Sequence, residues 1–260
     1  MIQNTFELID SHCHLDFPVF DESRVSLLEE CANKGIKKFI VPGVTAATWH
    51  RLQCVCEKIP VIYPAYGLHP SFIQVHKPED VDQLKILLKQ NFAIAVGEIG
   101  LDYYLPGQDK KTQQWFFDAQ LALADELGLP VILHVRKAHD DVLLFLKQHH
   151  IVGGVVHAFN GSLQQAHRYL DFGFKLGFGG ALTFENANHL RRLVSQLPLE
   201  AIVLETDSPD MMPSGFTESA NTPLTILAVL AVISDIRKES LADVAKQTTS
   251  NIHSLFKMPY

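Results

Sequence analysis

The stretch Phe6-Glu7-Leu8-Ile9-Asp10-Ser11-His12-Cys13-His14 sets the reading of the whole chain. Its first six residues read as a strand, and it closes on two histidines separated by one residue. Successive strand side chains alternate between faces, so His12 and His14 are expected to point one way and Cys13 the other. A His-x-His pair so placed is suited to gripping one metal ion. Working outward, strand-forming runs recur at Lys38–Pro42, Val61–Leu68, Ala93–Glu98, Val131–Val135, Gly154–His157, Phe174–Phe178 and Ile202–Thr206. Amphipathic stretches of helical period lie between them, at Arg24–Lys34, Val81–Gln90, Thr112–Leu127, Val142–His149, Leu163–Asp171 and His189–Gln196. Pro223–Arg237 and Leu241–Phe256 read as two terminal helices.

Strands that alternate with helices need crossover connections and therefore build a parallel sheet. Eight such units in 260 residues predict an α/β fold of the TIM (β/α)8 barrel kind, which typically takes about 250 residues. The competing doubly wound sheet would carry a glycine-rich phosphate loop after an early strand. Here Gly177-Phe178-Gly179-Gly180 follows the seventh strand without that pattern. No linker, charge block or internal repeat marks a boundary, so residues 1–260 are expected to form one domain.

Hydrophobic residues make up 47% and charged residues 20%, a globular balance. No apolar run is long enough to cross a bilayer, and the N-terminus shows no secretory signal, so a cytoplasmic monomer is expected. With 22 basic and 29 acidic residues the net charge is −7. That argues against broad electrostatic capture of DNA, though not against a nucleic acid held mainly through bound cations. The cysteines, Cys13, Cys31, Cys54 and Cys56, do not read as a disulfide framework, and Cys54 and Cys56 read as half-buried helix residues.

The chemistry-bearing residues fall at strand ends. His69 closes the third strand, Glu98 the fourth, His134 the fifth, His157 the sixth and Asp207 the eighth. In a barrel such ends meet at one face, where catalytic residues gather. Alternation supports the placement: Ile94, Val96 and Glu98 share a face, as do Val155 with His157 and Val203 with Asp207. Imidazoles mixed with carboxylates suit zinc or manganese, and the carboxylate-rich portion tolerates magnesium. Glu98 is the candidate to bridge two cations. Taken singly, Asp207 could instead begin a turn, and His134 or His157 could be a hydrogen-bonded core histidine.

Six ordered motifs carry a resemblance. Ile9-Asp-Ser-His12-Cys-His14, Gly67-Leu-His-Pro70, Gly97-Glu-Ile-Gly-Leu-Asp-Tyr103, Pro130-Val-Ile-Leu-His134-Val-Arg136, His157-Ala-Phe-Asn-Gly161 and Leu204-Glu-Thr-Asp-Ser-Pro209 resemble the successive signatures of TatD-family metal-dependent deoxyribonucleases. The resemblance covers essentially the whole chain. It implies a TIM-type barrel with two divalent ions (Zn2+, Mn2+ or Mg2+). His12, His14 and Asp207 would hold one ion and His134 and His157 the other, with Glu98 bridging. It also implies hydrolysis of DNA phosphodiester bonds by a metal-activated water, at DNA ends or on a small phosphodiester. Asp207 and Glu98 would be the catalytic residues, Asp207 accepting the water's proton. The chain departs from the family after strand eight, where Ala220-Asn221-Thr222-Pro223 stands in place of Arg-Asn-Glu-Pro.

Four further residues are candidates for supporting roles. His69 is expected to contact a substrate phosphate rather than a metal, because six ligands already supply two sites. Arg136 shares the face of His134 and could hold a phosphate or pair with an acid such as Glu205. Glu205 shares the face of Asp207 and could fix the tautomer of a ligand histidine or be paired structurally. Tyr103 or Tyr104 could stack on a base or simply pack the loop. His76, His139, His149, His150, His167, His189 and His253 read as surface residues. The alternatives to a nuclease are an amide, ester or lactone hydrolase built on the same metals, and a non-catalytic metal-binding protein.

Overall fold

The apolar runs become strands and the amphipathic stretches become helices in the computed structural model, which describes residues 6–104, 107, 109–256 and 258. In chain order these are β1 (Leu8–Asp10), α1 (Arg24–Asn33), β2 (Ile36–Pro42), α2 (Ala46–Lys58), β3 (Ile62–Tyr66), α3 (Pro78–Gln90), β4 (Ala95–Asp102) and α4 (Lys110–Leu127). There follow β5 (Val131–Arg136), α5 (His139–Leu146), β6 (Gly154–Val156), α6 (Leu163–Asp171), β7 (Phe174–Phe178), α7 (Asn188–Gln196), β8 (Ile202–Leu204), α8 (Ile226–Arg237) and α9 (Leu241–Phe256). The strands stand in the sheet in that same order, and the described pairs are parallel. Ser11 N–H donates to Leu204 O at 3.0 Å, joining the end of β1 to β8. This is the (β/α)8 order of a TIM barrel.

Two compact units divide the chain. One takes the residues up to Val41 and from Leu176 onward, the other Pro42–Lys175. In the first, Leu8, Ile36, Phe39, Leu176, Phe178 and Ile202–Leu204 are buried with Val229, Leu230 and Ile233 of α8 and Val244 and Ile252 of α9. Asn251 fixes α9 by donating from Nδ2 to Leu199 O and Ile202 O, both at 2.8 Å. In the second, Ala65, Val96, Ile99, Leu101, Val131–Leu133 and Val155 are buried with Phe117 and Leu121 of α4 and Leu143 of α5. Each such large side chain contributes about 1.5–3 kcal/mol on burial. The helix α4 starts where Asp109 accepts the Lys111 N–H at 2.9 Å and stops at Gly128, whose φ of 62° only glycine adopts freely.

The boundaries differ from the sequence reading where tertiary contacts intervene. The strand β4 runs four residues beyond Glu98, to Asp102. Gly100, at φ 147°, allows this, since a Cβ there would lie 1.9 Å from His134 O. The register also shifts between Val96 and Ile99, so strict alternation from Val96 to Glu98 is broken. Conversely β1, β6 and β8 end early, leaving His12, His14, His157 and Asp207 just past their strands. Alternation therefore does not place Asp207; its backbone turns left-handed there, at φ 55°. The helix α2, absent from the sequence reading apart from Cys54 and Cys56, buries Trp49, Leu52 and Val55. Its apolar face includes residues that favour strands, which blunts the local signal. No helix among the described residues is long and apolar enough to cross a membrane.

Candidate metal-binding residues

In the first unit the chain leaves β1 and β8 through two segments that are laced together. Asp10 is fully buried and accepts the N–H groups of His12 (3.2 Å) and Thr206 (3.1 Å) and the Thr206 hydroxyl (2.5 Å). Burial pushes the Asp10 carboxyl up to about 8 against the pull of those hydrogen bonds. Asp207 N–H donates to His12 O at 2.9 Å, and His14 N–H donates to Ser208 O at 2.7 Å. The buried Asn221 grips the same turn from outside, donating from Nδ2 to Thr206 O (2.9 Å) and Asp210 O (2.8 Å). Its Oδ1 accepts the Thr222 N–H and the Thr225 hydroxyl. Asn221, within the Ala220–Pro223 stretch, thus shapes the backbone that carries Asp207.

The result is a close set of three side chains, two imidazoles and a carboxylate. His12 Nε2 and His14 Nε2 each lie 3.6 Å from Asp207 Oδ1. That is too long for a hydrogen bond between these groups. Two atoms bound to one ion at about 2.0–2.1 Å in tetrahedral geometry stand about 3.3–3.4 Å apart, so the spacing fits a shared cation. His14 is steadied by stacking on Phe17, with ring centroids 4.7 Å apart. Glu205 is wholly buried beside Gly177, where a Cβ would come 2.1 Å from its Oε2. The first glycine of the run, inside β7, therefore makes room for a carboxylate.

In the second unit, Glu98 and His134 approach from neighbouring strands. His134 Nδ1 lies 3.2 Å from Glu98 Oε1, and its Nε2 lies 3.1 Å from Asp102 Oδ2. Asp102 is the residue sequence reasoning missed, although it stands four residues after Glu98 in the same motif. A carboxylate on the far nitrogen fixes the ring and leaves the near nitrogen to a cation. Burial opposes charge on His134, but the Asp102 and Glu98 carboxylates outweigh it and raise its pKa. Asp102, raised by burial alone, is held below the usual carboxylate range by hydrogen bonds from His134 and the Tyr104 N–H. The buried His157 donates its backbone N–H to Leu133 O, and its ring lies near-parallel to that of His134 with centroids 6.3 Å apart.

His69 belongs to this group by distance, with Nε2 3.2 Å from Glu98 Oε1. Its protonation sets it apart. The His69 Nδ1 lone pair accepts the Ser71 N–H at 3.0 Å, so the proton of the neutral ring sits on Nε2. A nitrogen that carries a proton has no lone pair for an ion, and His69 is a hydrogen-bond donor at this position.

The remaining candidates sit in various surroundings. The Arg136 guanidinium lies over the Tyr104 ring, 3.6 Å from its centroid. Tyr103 donates its hydroxyl to Asp141 (2.9 Å) and accepts from Gln114 (2.8 Å), with Lys110 over its ring. The expectation of surface histidines fails at three positions: His76, His139 and His253 are buried. Each satisfies a ring nitrogen inside the fold, His76 on His69 O, His139 between Tyr169 and Asn160, and His253 on Met258 O. Helical periodicity did not reveal them, because a histidine's buried partner is not encoded in the spacing of apolar residues around it.

The sequence pattern of the TatD-related DNase family matches residues 9–257. The metal-dependent hydrolase YjjV of Escherichia coli K12, whose name calls it uncharacterized, is 40% identical over 96% of this chain and 98% of its own. The similarly named YabD of Bacillus subtilis 168 is 32% identical over 96% and 99%. The crystal structure of YjjV, described as a TatD homolog, superposes with a TM-score of 0.93 at 39% identity, covering 97% and 98% of the two chains. Such likeness along the whole length makes this chain a metal-dependent hydrolase of the (β/α)8 class. Within that class it belongs to the TatD family.

Proposed function

We propose that the chain is a divalent-metal-dependent phosphodiesterase that hydrolyses DNA, built as one domain. The observation that carries the reading is the 3.6 Å spacing of His12 and His14 from Asp207, which suits a shared cation and not hydrogen bonding. The family's description as TatD-related DNases supports the substrate class. His12, His14 and Asp207 would hold one ion, and Glu98, His134 and His157 are the ligands proposed for a second, with zinc, manganese or magnesium as the metal. When bound, the ions activate the attacking water and polarise the phosphoryl oxygen.

The residues of the chain supply the rest. Asp207 keeps 16% of its side chain accessible, and its carboxylate takes the proton of the attacking water. The water oxygen bonds to phosphorus as the bond to the leaving oxygen breaks, and that oxygen collects a proton from solvent. His69 presents Nε2–H to Glu98 and, with substrate in place, to a phosphoryl oxygen. Asp102 keeps the His134 ring in one orientation.

The test is a panel of single-stranded DNA, a small phosphodiester, and amide and lactone substrates, each with Mg2+, Mn2+ or Zn2+ and with chelator. DNA hydrolysis that chelation abolishes is the expected result. Turnover of amides or lactones alone would sink the nuclease reading, and two bound ions without any turnover would leave a metal-binding protein.

A further inference from the structure

The acidic chain gathers three cations over two tyrosines that directly follow β4. The Arg136 guanidinium lies 3.6 Å from the centroid of the Tyr104 ring and Lys137 Nζ lies 4.7 Å from it, while Lys110 Nζ lies 4.2 Å from the Tyr103 ring. Neighbouring residues of a strand ordinarily project to opposite faces. Here Lys137 turns left-handed at φ 53°, which ends the alternation of β5 and lets both cations share one ring. Among the described residues, none of the three cations has a carboxylate at ion-pair distance. Of the nearby acids, Asp141 is engaged by the Tyr103 hydroxyl and Asp140 by Gln165 (3.0 Å) and Arg168 (3.4 Å). Asp102 is hydrogen-bonded to His134 and also feels the charge of Arg136.

The platform is fixed to the metal-ligand residues by the backbone. Tyr104 N–H donates to Asp102 Oδ1 at 2.9 Å, and Tyr103 N–H donates to Arg136 O at 2.8 Å. Asp102 in turn holds His134 through its other oxygen. Arg136 follows His134 by two residues, so it stands about 7 Å further along the same strand. A cavity of about 390 Å³ opens beside the lysines, lined by Tyr103, Lys110, Lys137 and His139 and also by the carboxylates of Asp140 and Asp141. A cation over an aromatic face stays available to an anion at its edge, and arginine pairs with phosphate through two parallel N–H groups.

We propose that Arg136 and Lys137 on Tyr104, with Lys110 on Tyr103, form a phosphate-binding subsite that holds a phosphate next to the bond being cleaved. The proposal rests on the phosphodiesterase reading and names the specificity-determining residues for it. The shared ligand chemistry is a phosphate monoanion or dianion, supplied by the backbone of an oligonucleotide or by its terminal phosphate. Arg136 on the ring face of Tyr104 also changes the part this tyrosine plays, from base-stacking to positioning a cation.

The experiment separates binding from turnover. A fluorescent eight-nucleotide oligothymidylate, with and without a 5′-phosphate, is titrated by anisotropy into full-length chelator-treated protein, with inorganic phosphate as competitor. The wild type is compared with Arg136→Gln/Lys137→Gln and with Tyr104→Leu, whose folding is checked by melting. The expected result is about tenfold weaker binding in the double variant, and a salt dependence flatter by about 0.7 for each phosphate no longer neutralised. An intermediate effect is expected in Tyr104→Leu, which keeps the charges and removes their platform. Weakening with both oligonucleotides assigns the subsite to the backbone, and weakening only with the 5′-phosphate assigns it to the terminus. Equal affinity and salt slope in wild type and double variant would overturn the subsite. In the metal-loaded protein, the subsite predicts a raised KM for DNA with kcat less affected. DNA hydrolysis at unchanged KM would refute the subsite and leave the phosphodiesterase reading standing. Variant-sensitive binding without hydrolysis of any phosphodiester would do the reverse.

Discussion

Two imidazoles stand 3.6 Å from Asp207 in the first unit, whereas in the second His69 and His134 stand 3.2 Å from Glu98. The small difference separates two kinds of site. In the first, backbone hydrogen bonds hold the three groups at a distance that suits a shared ion better than it suits one another. In the second, the same residue types are joined by hydrogen bonds, and Asp102 completes a chain that runs Glu98–His134–Asp102. The frame that carries them thus decides whether residues of one chemical class stand apart or are already joined by hydrogen bonds.

The sharpest way to break the comparison is Asp207→Asn. It removes the charge the two histidines share, and loss of a proton acceptor lowers turnover by about a hundredfold to ten-thousandfold. Bound metal, measured by elemental analysis, is expected to fall by one ion per chain. Full turnover with normal metal content would refute the role of Asp207. Asp102→Asn probes the other unit. The amide keeps the shape but can no longer hold a protonated nitrogen as a carboxylate does, and metal affinity should weaken by about 10–100-fold. Titration calorimetry would read this, and an unchanged affinity would demote Asp102 to packing.

The smallest expected effect lies outside both groups, at His139. Burial lowers its pKa, partly offset by Asn160 and by the charge of Asp140, while Tyr169 of α6 meets the other nitrogen. A folded pKa below the unfolded 6.5 means that the unfolded chain binds the extra proton. Stability is therefore full above pH 6.5 and falls as the pH drops below it, by at most about 1.4 kcal/mol per pH unit for one proton. Comparing the melting temperature with pH in wild type and His139→Gln isolates this loss. An identical acid slope in the two proteins would show that His139 does not carry it.

The candidate ligands could be picked out in the sequence because they sit at or near the ends of runs whose period is visible. Glu98 lies inside β4 and His134 inside β5, while His12, His14, His157 and Asp207 lie within four residues past a strand end. Their exact presentation was not legible by alternation. Asp207 is aimed by a left-handed turn that Asn221 clamps, and Glu98 lies where the register shifts. Asn221 and Asp102 stood in plain view beside the ligands, yet nothing local distinguishes a carboxylate that orients a ring from one that binds an ion.

By itself the sequence determined the alternation of strands and helices, the barrel order that follows, and the chemical types gathered after the strands. Those depend on side-chain period and residue identity, which are properties of the chain alone. The tertiary structure decided how each polar atom is used. Ser71 gives His69 its tautomer, Asp102 fixes His134, and Gly177 leaves space for Glu205. Tyr104 collects two cations that a strand would have sent apart. Protonation, spacing and orientation are set by neighbours in space, and neighbours in space exist only once the chain has folded.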